Sequence, residues 1–174
     1  EYRGYDSAGI AIINSETNCI SCNKAEGKLK NLKNNLNDHN IPGTVGIGHT
    51  RWATHGKPEV KNAHPHIDSS GTVAVVQNGI IENYKDLKNK LEKEGIIFNS
   101  DTDTEVIPHL IQRELNTLSK LKLENNGSTL LVAVRNVISD LEGSYALAVL
   151  WSGAPTSLVV ARRQAPLIIG LGEG

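Results

Sequence analysis

Short apolar runs alternate with helical stripes along this chain. Ala8 to Ile13 is small, apolar or β-branched, Asn14-Ser15-Glu16 interrupts it, and Asn18 to Lys24 reads as an antiparallel partner strand. Leu29, Leu32 and Leu36 have helical spacing, and Asn37 to Gly43 closes that helix. Thr44 to Thr50 predicts a strand. Arg51 to Ser70 has the Gly, Pro, Asn and His content of a long loop, a feature of compact domains that is more often functional than idle. Thr72 to Gln77 predicts a strand that stops on Asn78-Gly79, ordinarily a hairpin turn. No matching strand follows. Instead Tyr84, Leu87 and Leu91 face one way on a helix that Gly95 caps.

Ile96 to Phe98 predicts a short strand, and Thr102 to Glu105 is a capping-box pattern for a helix running to about Leu115. Pro108 inside that helix should kink it or shift its start. Leu130, Leu131, Val134, Val137, Ile138 and Leu141 form another helical stripe, and strands follow at Ser144 to Leu150, Ser157 to Ala161 and Pro166 to Ile169. Paired strands interleaved with helices predict an α+β domain with helical layers over sheets, not a doubly wound parallel sheet.

The 174 residues make one ordinary domain. With 18 Lys+Arg against 19 Asp+Glu, nothing points to a nucleic-acid or membrane surface, and no apolar run approaches a membrane span of ~20 residues. Two cysteines are too few for a disulfide scaffold, which predicts a reducing, cytoplasmic setting. Asn126-Gly127-Ser128 then reads as an ordinary loop. The absence of methionine means that Glu1 is not a translation start, and Leu167 to Gly174 stops in mid-course. The chain is expected to be a piece of something longer.

Candidate chemistry narrows from here. Cys19 and Cys22 have C-x-x-C spacing, but a structural zinc site takes four ligands and no second pair exists. Residues three apart on a strand also point to opposite faces. His49, His55, His64 and His66 crowd one stretch beside Asp68, yet no pair has the i, i+4 spacing of a helical zinc site, so they read as hydrogen-bonded loop histidines. Arg51-Trp52 is either a carboxylate receptor, with a rigid guanidinium fork, or a surface ion pair beside a packed indole. Asp103 is by default a helix-capping carboxylate. Asn78-Gly79 offers a side-chain amide and an unhindered backbone N–H, the two donors an oxyanion hole requires. Such a hole needs a nucleophile, and neither cysteine has a basic partner in the sequence.

Five motifs occur in order: EYRGYDSAG at Glu1 to Gly9, HTRWATHG at His49 to Gly56, NAHPH at Asn62 to His66, QNGIIEN at Gln77 to Asn83 and TDTE at Thr102 to Glu105. Through them essentially the whole chain resembles the glutaminase domain of the isomerizing glutamine–fructose-6-phosphate aminotransferases, the glucosamine-6-phosphate synthases, within the class II glutamine amidotransferases. The resemblance implies an N-terminal-nucleophile hydrolase fold, a four-layer αββα sandwich of two antiparallel sheets between helical layers, here lacking the first strand. It also implies an N-terminal cysteine nucleophile upstream of Glu1 and a C-terminal sugar-isomerase half, neither within these residues. The piece alone is accordingly expected to be inactive.

The resemblance further implies that the cysteine thiol attacks the side-chain amide of glutamine, with its own α-amine as general base. Asn78 and the Gly79 N–H would stabilise the oxyanion. Arg51 would pair with the α-carboxylate and Asp103 with the α-ammonium. Trp52, Thr54 and His55 would shape the pocket, and Arg3 and Gly4 would hold the region around the nucleophile. Water would resolve the thioester to glutamate, and ammonia would pass to the other half, where fructose 6-phosphate becomes glucosamine 6-phosphate. No metal or organic cofactor is implied, so the histidines are expected to be structural; the absent half would carry the contacts of a homo-oligomer. Another class II amidotransferase, such as amidophosphoribosyltransferase, is a rival that Tyr2, Tyr5 and Ala63 to His66 argue against. A non-catalytic glutamine-binding module is the other.

Overall fold

The computed structural model describes residues 4–36, 42–52 and 57–172. Strand β1 (Ser7–Ile13) turns into β2 (Ile20–Glu26) where the Asn14 carboxamide accepts the N–H groups of Glu16 and Thr17 at 2.9 and 3.1 Å. The two pair antiparallel from Ser7–Glu26 to Ile13–Ile20. Strand β3 (Gly46–Arg51) pairs with the other edge of β1, with Ser7 opposite Arg51, giving a three-stranded sheet in the order β2-β1-β3. The second sheet contains β4 (His66–Ile67), β5 (Val73–Ile81), β6 (Gly143–Trp151) and β7 (Val159–Arg163) in that order, all antiparallel neighbours. Four helices complete the described elements: α1 (Leu29–Leu36), α2 (Tyr84–Lys93), α3 (Val106–Lys120) and α4 (Gly127–Asp140).

Side-chain alternation on the strands separates three apolar layers. Ala8 and Ile10 of β1 meet Leu32 and Leu36 of α1. Ala11 and Ile13, on the opposite face of β1, join Ile47 of β3 against Ala74 and Leu150 of the second sheet. Val73, Val75 and Ile81 of β5 point the other way, onto a core filled by Leu87, Leu91, Ile107, Leu110, Ile111, Leu130 and Val134 of α2, α3 and α4. Helix, sheet, sheet, helices is therefore the order of layers, the αββα sandwich expected from the motifs. Each fully buried Leu or Ile contributes about 1.5–3 kcal/mol.

Several local expectations are corrected. Strand β5 does not stop at Gln77. It continues through Asn78 and Gly79 to Ile81, and its partner is the distant β6, where Asn78 faces Ala146 and Gly79 faces Tyr145. The loop after Arg51 contains a 3-10 turn (Val60–Asn62) and the two residues of β4. Ile96 to Phe98 and Pro166 to Ile169 are irregular, with Ile97, Ile168 and Ile169 exposed. Leu131 is exposed, so the inward stripe of α4 is Leu130, Ala133, Val134 and Val137. Asn126 caps that helix by accepting the Thr129 N–H at 3.0 Å, more than a loop residue does. Helix α3 starts only at Val106, and Pro108 sits in its first turn, where a missing N–H costs no helical bond.

Candidate active site

The open edge of β5 builds the site. β4 covers only Ala74 and Val75, so beyond that the edge away from β6 has no strand neighbour among the described residues. Its N–H groups find side chains instead: Gln77 donates to His64 Nδ1 at 3.2 Å, and Ile81 donates to Asp103 Oδ2 at 2.7 Å. In an antiparallel ladder the N–H groups of residues two apart share one edge. That of Gly79 thus lies on the same edge, between the His64 and Asp103 contacts. Glycine is required there for two reasons. Its φ is +111°, and a Cβ would stand 2.0 Å from the Ser144 carbonyl oxygen.

Asp103 is consequently not a cap on its own helix. Its buried carboxylate crosses to β5 and is fixed beside Asn78 and Gly79. The Thr102–Glu105 segment forms no capping box either. Glu105 accepts the N–H groups of Asn99 and Ser100 at 2.9 and 2.6 Å, and Thr102 Oγ1 lies 3.0 Å from both Ser100 Oγ and His66 Nε2. Burial would raise the Glu105 pKa, but His109 and those N–H groups outweigh it and hold the carboxyl at about 2. The segment is thereby pinned as a rigid turn that presents Asp103.

Strand β3 supplies the facing wall. Arg51 at its end is 4% exposed, which excludes the surface ion pair. Its guanidinium lies 3.7 Å from Asp6 Oδ1 and donates to the Lys57 carbonyl at 3.3 Å. Trp52 is the reverse of a packed indole: it is exposed and meets Tyr5 edge-on at 5.3 Å, the two rings standing together at the mouth. Gly4 presses its backbone on β3, since a Cβ there would lie 2.5 Å from the Thr50 oxygen and 2.9 Å from that of Arg51. Asn78, on the sheet-facing side of β5, brings Oδ1 to 2.9 Å from His49 Nε2 of β3.

His49, Arg51, Trp52, His64, Asn78, Gly79 and Asp103 line one cleft of about 100 Å³. A roomier one, about 600 Å³, lies by α2 and the end of α4, where Asp86, Lys90, Asp140 and Arg163 offer charges of both signs. The small cleft is the better candidate, because a cation, an anion and an amide converge on it. Arg3, Thr54 and His55 lie outside the described residues. Asp6 sits inside the first motif, but its place behind Arg51 depends on the pairing of β1 with β3, which nothing local shows; His49, read from the sequence only as a hydrogen-bonded loop histidine, stands beside Asn78.

The described histidines of this stretch pack ring against ring. His49 stacks on His64 at 4.3 Å with 21° between planes, and His66 meets His64 edge-on at 4.8 Å. Two of them lie on strands, not in a loop. Burial lowers all three pKa values, with neighbouring positive groups adding to it: His66 falls to about 3, and His64 lies well below its ordinary value.

Linkage turns this into an expected result. Unfolded histidine takes up a proton near pH 6.5, whereas folded His64 and His66 do not until far lower. Their effect is absent above about 6.5, and stability is lost as pH falls from there toward 3. His66 should cost about 2 kcal/mol by pH 5, and His64 acts in the same direction. Glu105 adds to this below its unfolded value near 4.5, down to about 2. Urea unfolding at pH 7.5 and pH 5 measures it; equal midpoints would mean that these imidazoles are not held neutral.

A family profile described as a glutamine amidotransferase domain matches residues 49–172. The chain is 55% identical over 174 residues to glutamine–fructose-6-phosphate aminotransferase (isomerizing) of Thermosynechococcus vestitus, covering 100% of this chain and 26% of that protein. It is 51% identical over 173 residues to the protein of the same name from Clostridium tetani, covering 99% of this chain and 26% of the relative. The chain thus spans about a quarter of the length of these curated relatives. Among solved structures, it is similar to the glutamine phosphoribosylpyrophosphate amidotransferase of B. subtilis complexed with ADP and GMP. The TM-score is 0.70 and the identity 29%, over 92% of this chain and 32% of that one. A structure titled as the allosteric regulatory enzyme of purine biosynthesis gives a TM-score of 0.71 at 30% identity, with the same coverage.

Proposed function

Because the chain belongs to the glutamine amidotransferase domain family, we propose that it is the glutaminase half of a longer glutamine-dependent aminotransferase, one that makes glucosamine 6-phosphate and glutamate from fructose 6-phosphate and glutamine. The observation that carries the glutaminase reading is the convergence of Arg51, Asp103, Asn78 and Gly79 on one cleft. Glutamine presents a carboxylate, an ammonium and a side-chain amide, and each has a matching partner there. The sugar acceptor is supported by relatives at 51–55% identity that carry the aminotransferase name, against 29% for the phosphoribosylpyrophosphate amidotransferase and 30% for the enzyme of purine biosynthesis.

The steps follow from that chemistry. A thiol attacks the amide carbon and the carbonyl electron pair moves onto oxygen, where the Asn78 amide and the Gly79 N–H receive it. Collapse expels ammonia and leaves a thioester, which water cleaves to glutamate. The thiol is assigned to an N-terminal cysteine of the longer polypeptide. Cys19 is exposed just before β2, and Cys22 lies on β2, separated from β3 by β1. Burial also pushes the Cys22 thiol up, away from the reactive thiolate. Arg3 and Gly4 are assigned to the region around the nucleophile, and Trp52, Thr54 and His55 to the glutamine pocket; of these, Arg3, Thr54 and His55 lie outside the described residues.

The isomerase half takes up the ammonia and carries the contacts of a homo-oligomer. A cytoplasmic setting agrees with the two free thiols, and no helix among the described residues is long and apolar enough to cross a membrane. The test is an assay of the full-length protein with glutamine and fructose 6-phosphate. Glutamate and glucosamine 6-phosphate should appear together. Glutamate with phosphoribosyl pyrophosphate as the only productive acceptor would move the protein to the rival branch, and glutamine binding without hydrolysis would make it a binding module.

A further inference from the structure

A carboxamide has two faces, an oxygen that only accepts and a nitrogen that only donates. For Asn78 to serve an oxyanion its nitrogen must face the reacting carbonyl, so something else has to hold the oxygen. The described residues supply one such group. His49 Nε2 lies 2.9 Å from Asn78 Oδ1, across the gap between β3 and β5. Since the amide oxygen cannot donate, the imidazole does, through an Nε2–H.

The ring itself is braced. His49 stacks on His64 at 4.3 Å, and His64 is tied at both nitrogens: Nδ1 accepts the Gln77 N–H at 3.2 Å, and Nε2 lies 3.5 Å from Thr104 Oγ1. Thr104 Oγ1 in turn donates to Gln77 Oε1 at 2.5 Å. The brace thus starts from the residue preceding Asn78 in β5 and returns to the Asn78 side chain, so amide and ring are referenced to the same backbone. An anchored donor would be of no use to a plain strand residue on an exposed stretch, where water would solvate the amide equally well.

We propose that His49 is a positioning residue, which turns the Asn78 carboxamide so that Nδ2 points into the cleft as an oxyanion donor. The proposal rests on the glutaminase reading and extends it by one residue. His49 does not contact the substrate in this scheme; it acts through Asn78. Asn78, His64, Arg51, Asp6 and the Gln77 backbone are the polar groups facing it. Its protonation below the ordinary histidine range would not reverse the bond, because an imidazolium also donates.

The test uses the full-length protein and two substitutions. His49→Phe keeps a flat ring to stack on His64 but has no donor, whereas His49→Gln restores a side-chain N–H. For glutamine hydrolysis, His49→Phe is expected to lower kcat about 10- to 100-fold with KM nearly unchanged, as expected for a misaimed group. His49→Gln should recover most of that loss. In an Asn78→Ala background His49→Phe should cost little more, because the amide it aims is gone.

Unchanged kcat in His49→Phe, beside a large loss in Asn78→Ala, overturns the positioning role and leaves the oxyanion hole standing. Unchanged kcat in both overturns the oxyanion hole and this inference with it. Undiminished loss in the double variant shows that His49 acts elsewhere. If His49→Phe does not fold, the ¹⁵N resonances of His49 in the unsubstituted protein decide: a neutral ring protonated only on Nδ1 overturns the proposal, and a protonated Nε2 supports it.

Discussion

Asn78→Ala is expected to lower the turnover of glutamine hydrolysis in the full-length protein by about 100- to 1,000-fold while KM changes little. The asymmetry follows from when the amide is needed. Neutral ground-state glutamine gains little from a donor beside its side-chain carbonyl. Once a thiol has added, the same oxygen carries a full negative charge, and the loss of a fixed donor is felt at full strength. The Gly79 N–H would remain, because it belongs to the backbone edge shared with Gln77 and Ile81, so the reaction should be slowed and not abolished. The substitution is also mild structurally: Asn78 is exposed, and its side chain supports no core contact. Initial rates of glutamate formation across a range of glutamine concentrations give both parameters. An unchanged kcat would reduce Asn78 to an ordinary strand residue.

The route to this site shows which parts of the molecule were local. Strand and helix faces such as Ala11 and Ile13 or Leu87 and Leu91 were legible because alternation and helical spacing are written into neighbouring residues. The Asn78-Gly79 pair stood out too, since an amide beside glycine is unusual where a helix follows; its role as a donor pair belongs to the proposed function. The continuation of β5 was not legible. Asn78-Gly79 has the local chemistry of a turn, and what keeps it extended is β6, a partner distant in sequence. Asp103 was misread as a cap for the same reason: its bond goes to Ile81 on another element, and a capping pattern in sequence cannot reveal a competing donor. The Arg51–Asp6 and His49–Asn78 contacts likewise depend on strand pairing and sheet stacking. The motif resemblance supplied roles for the pocket residues, but not the groups that hold them from behind.

Free glutamine carries a carboxylate and an ammonium on one carbon, whereas glutamine within a peptide has neither. A site that holds both accepts the free amino acid and rejects the residue. Arg51 and Asp103 line the same cleft as the oxyanion donors, each buried and each set by the fold: Arg51 with Asp6 behind it, Asp103 with the Ile81 N–H at 2.7 Å. Breaking one buried charge-assisted pair costs roughly 2–5 kcal/mol, which corresponds to a loss of about 30-fold or more in kcat/KM. Arg51→Lys keeps the charge but loses the two-pronged fork, so glutamine should bind more weakly even though the ion pair with Asp6 can persist. Asp103→Asn is the cleaner experiment. Its oxygen can still accept the Ile81 N–H, so the turn and β5 should keep their positions, while the ammonium loses its counter-charge. Both variants should therefore show the loss mainly in KM, the opposite of Asn78→Ala. Urea midpoints measured alongside separate a lost contact from a loosened fold. If both variants fold as the parent does and hydrolyse glutamine with its kcat/KM, the clamp is wrong, and the two residues serve only to tie β3 to β1 and the 102–105 turn to β5.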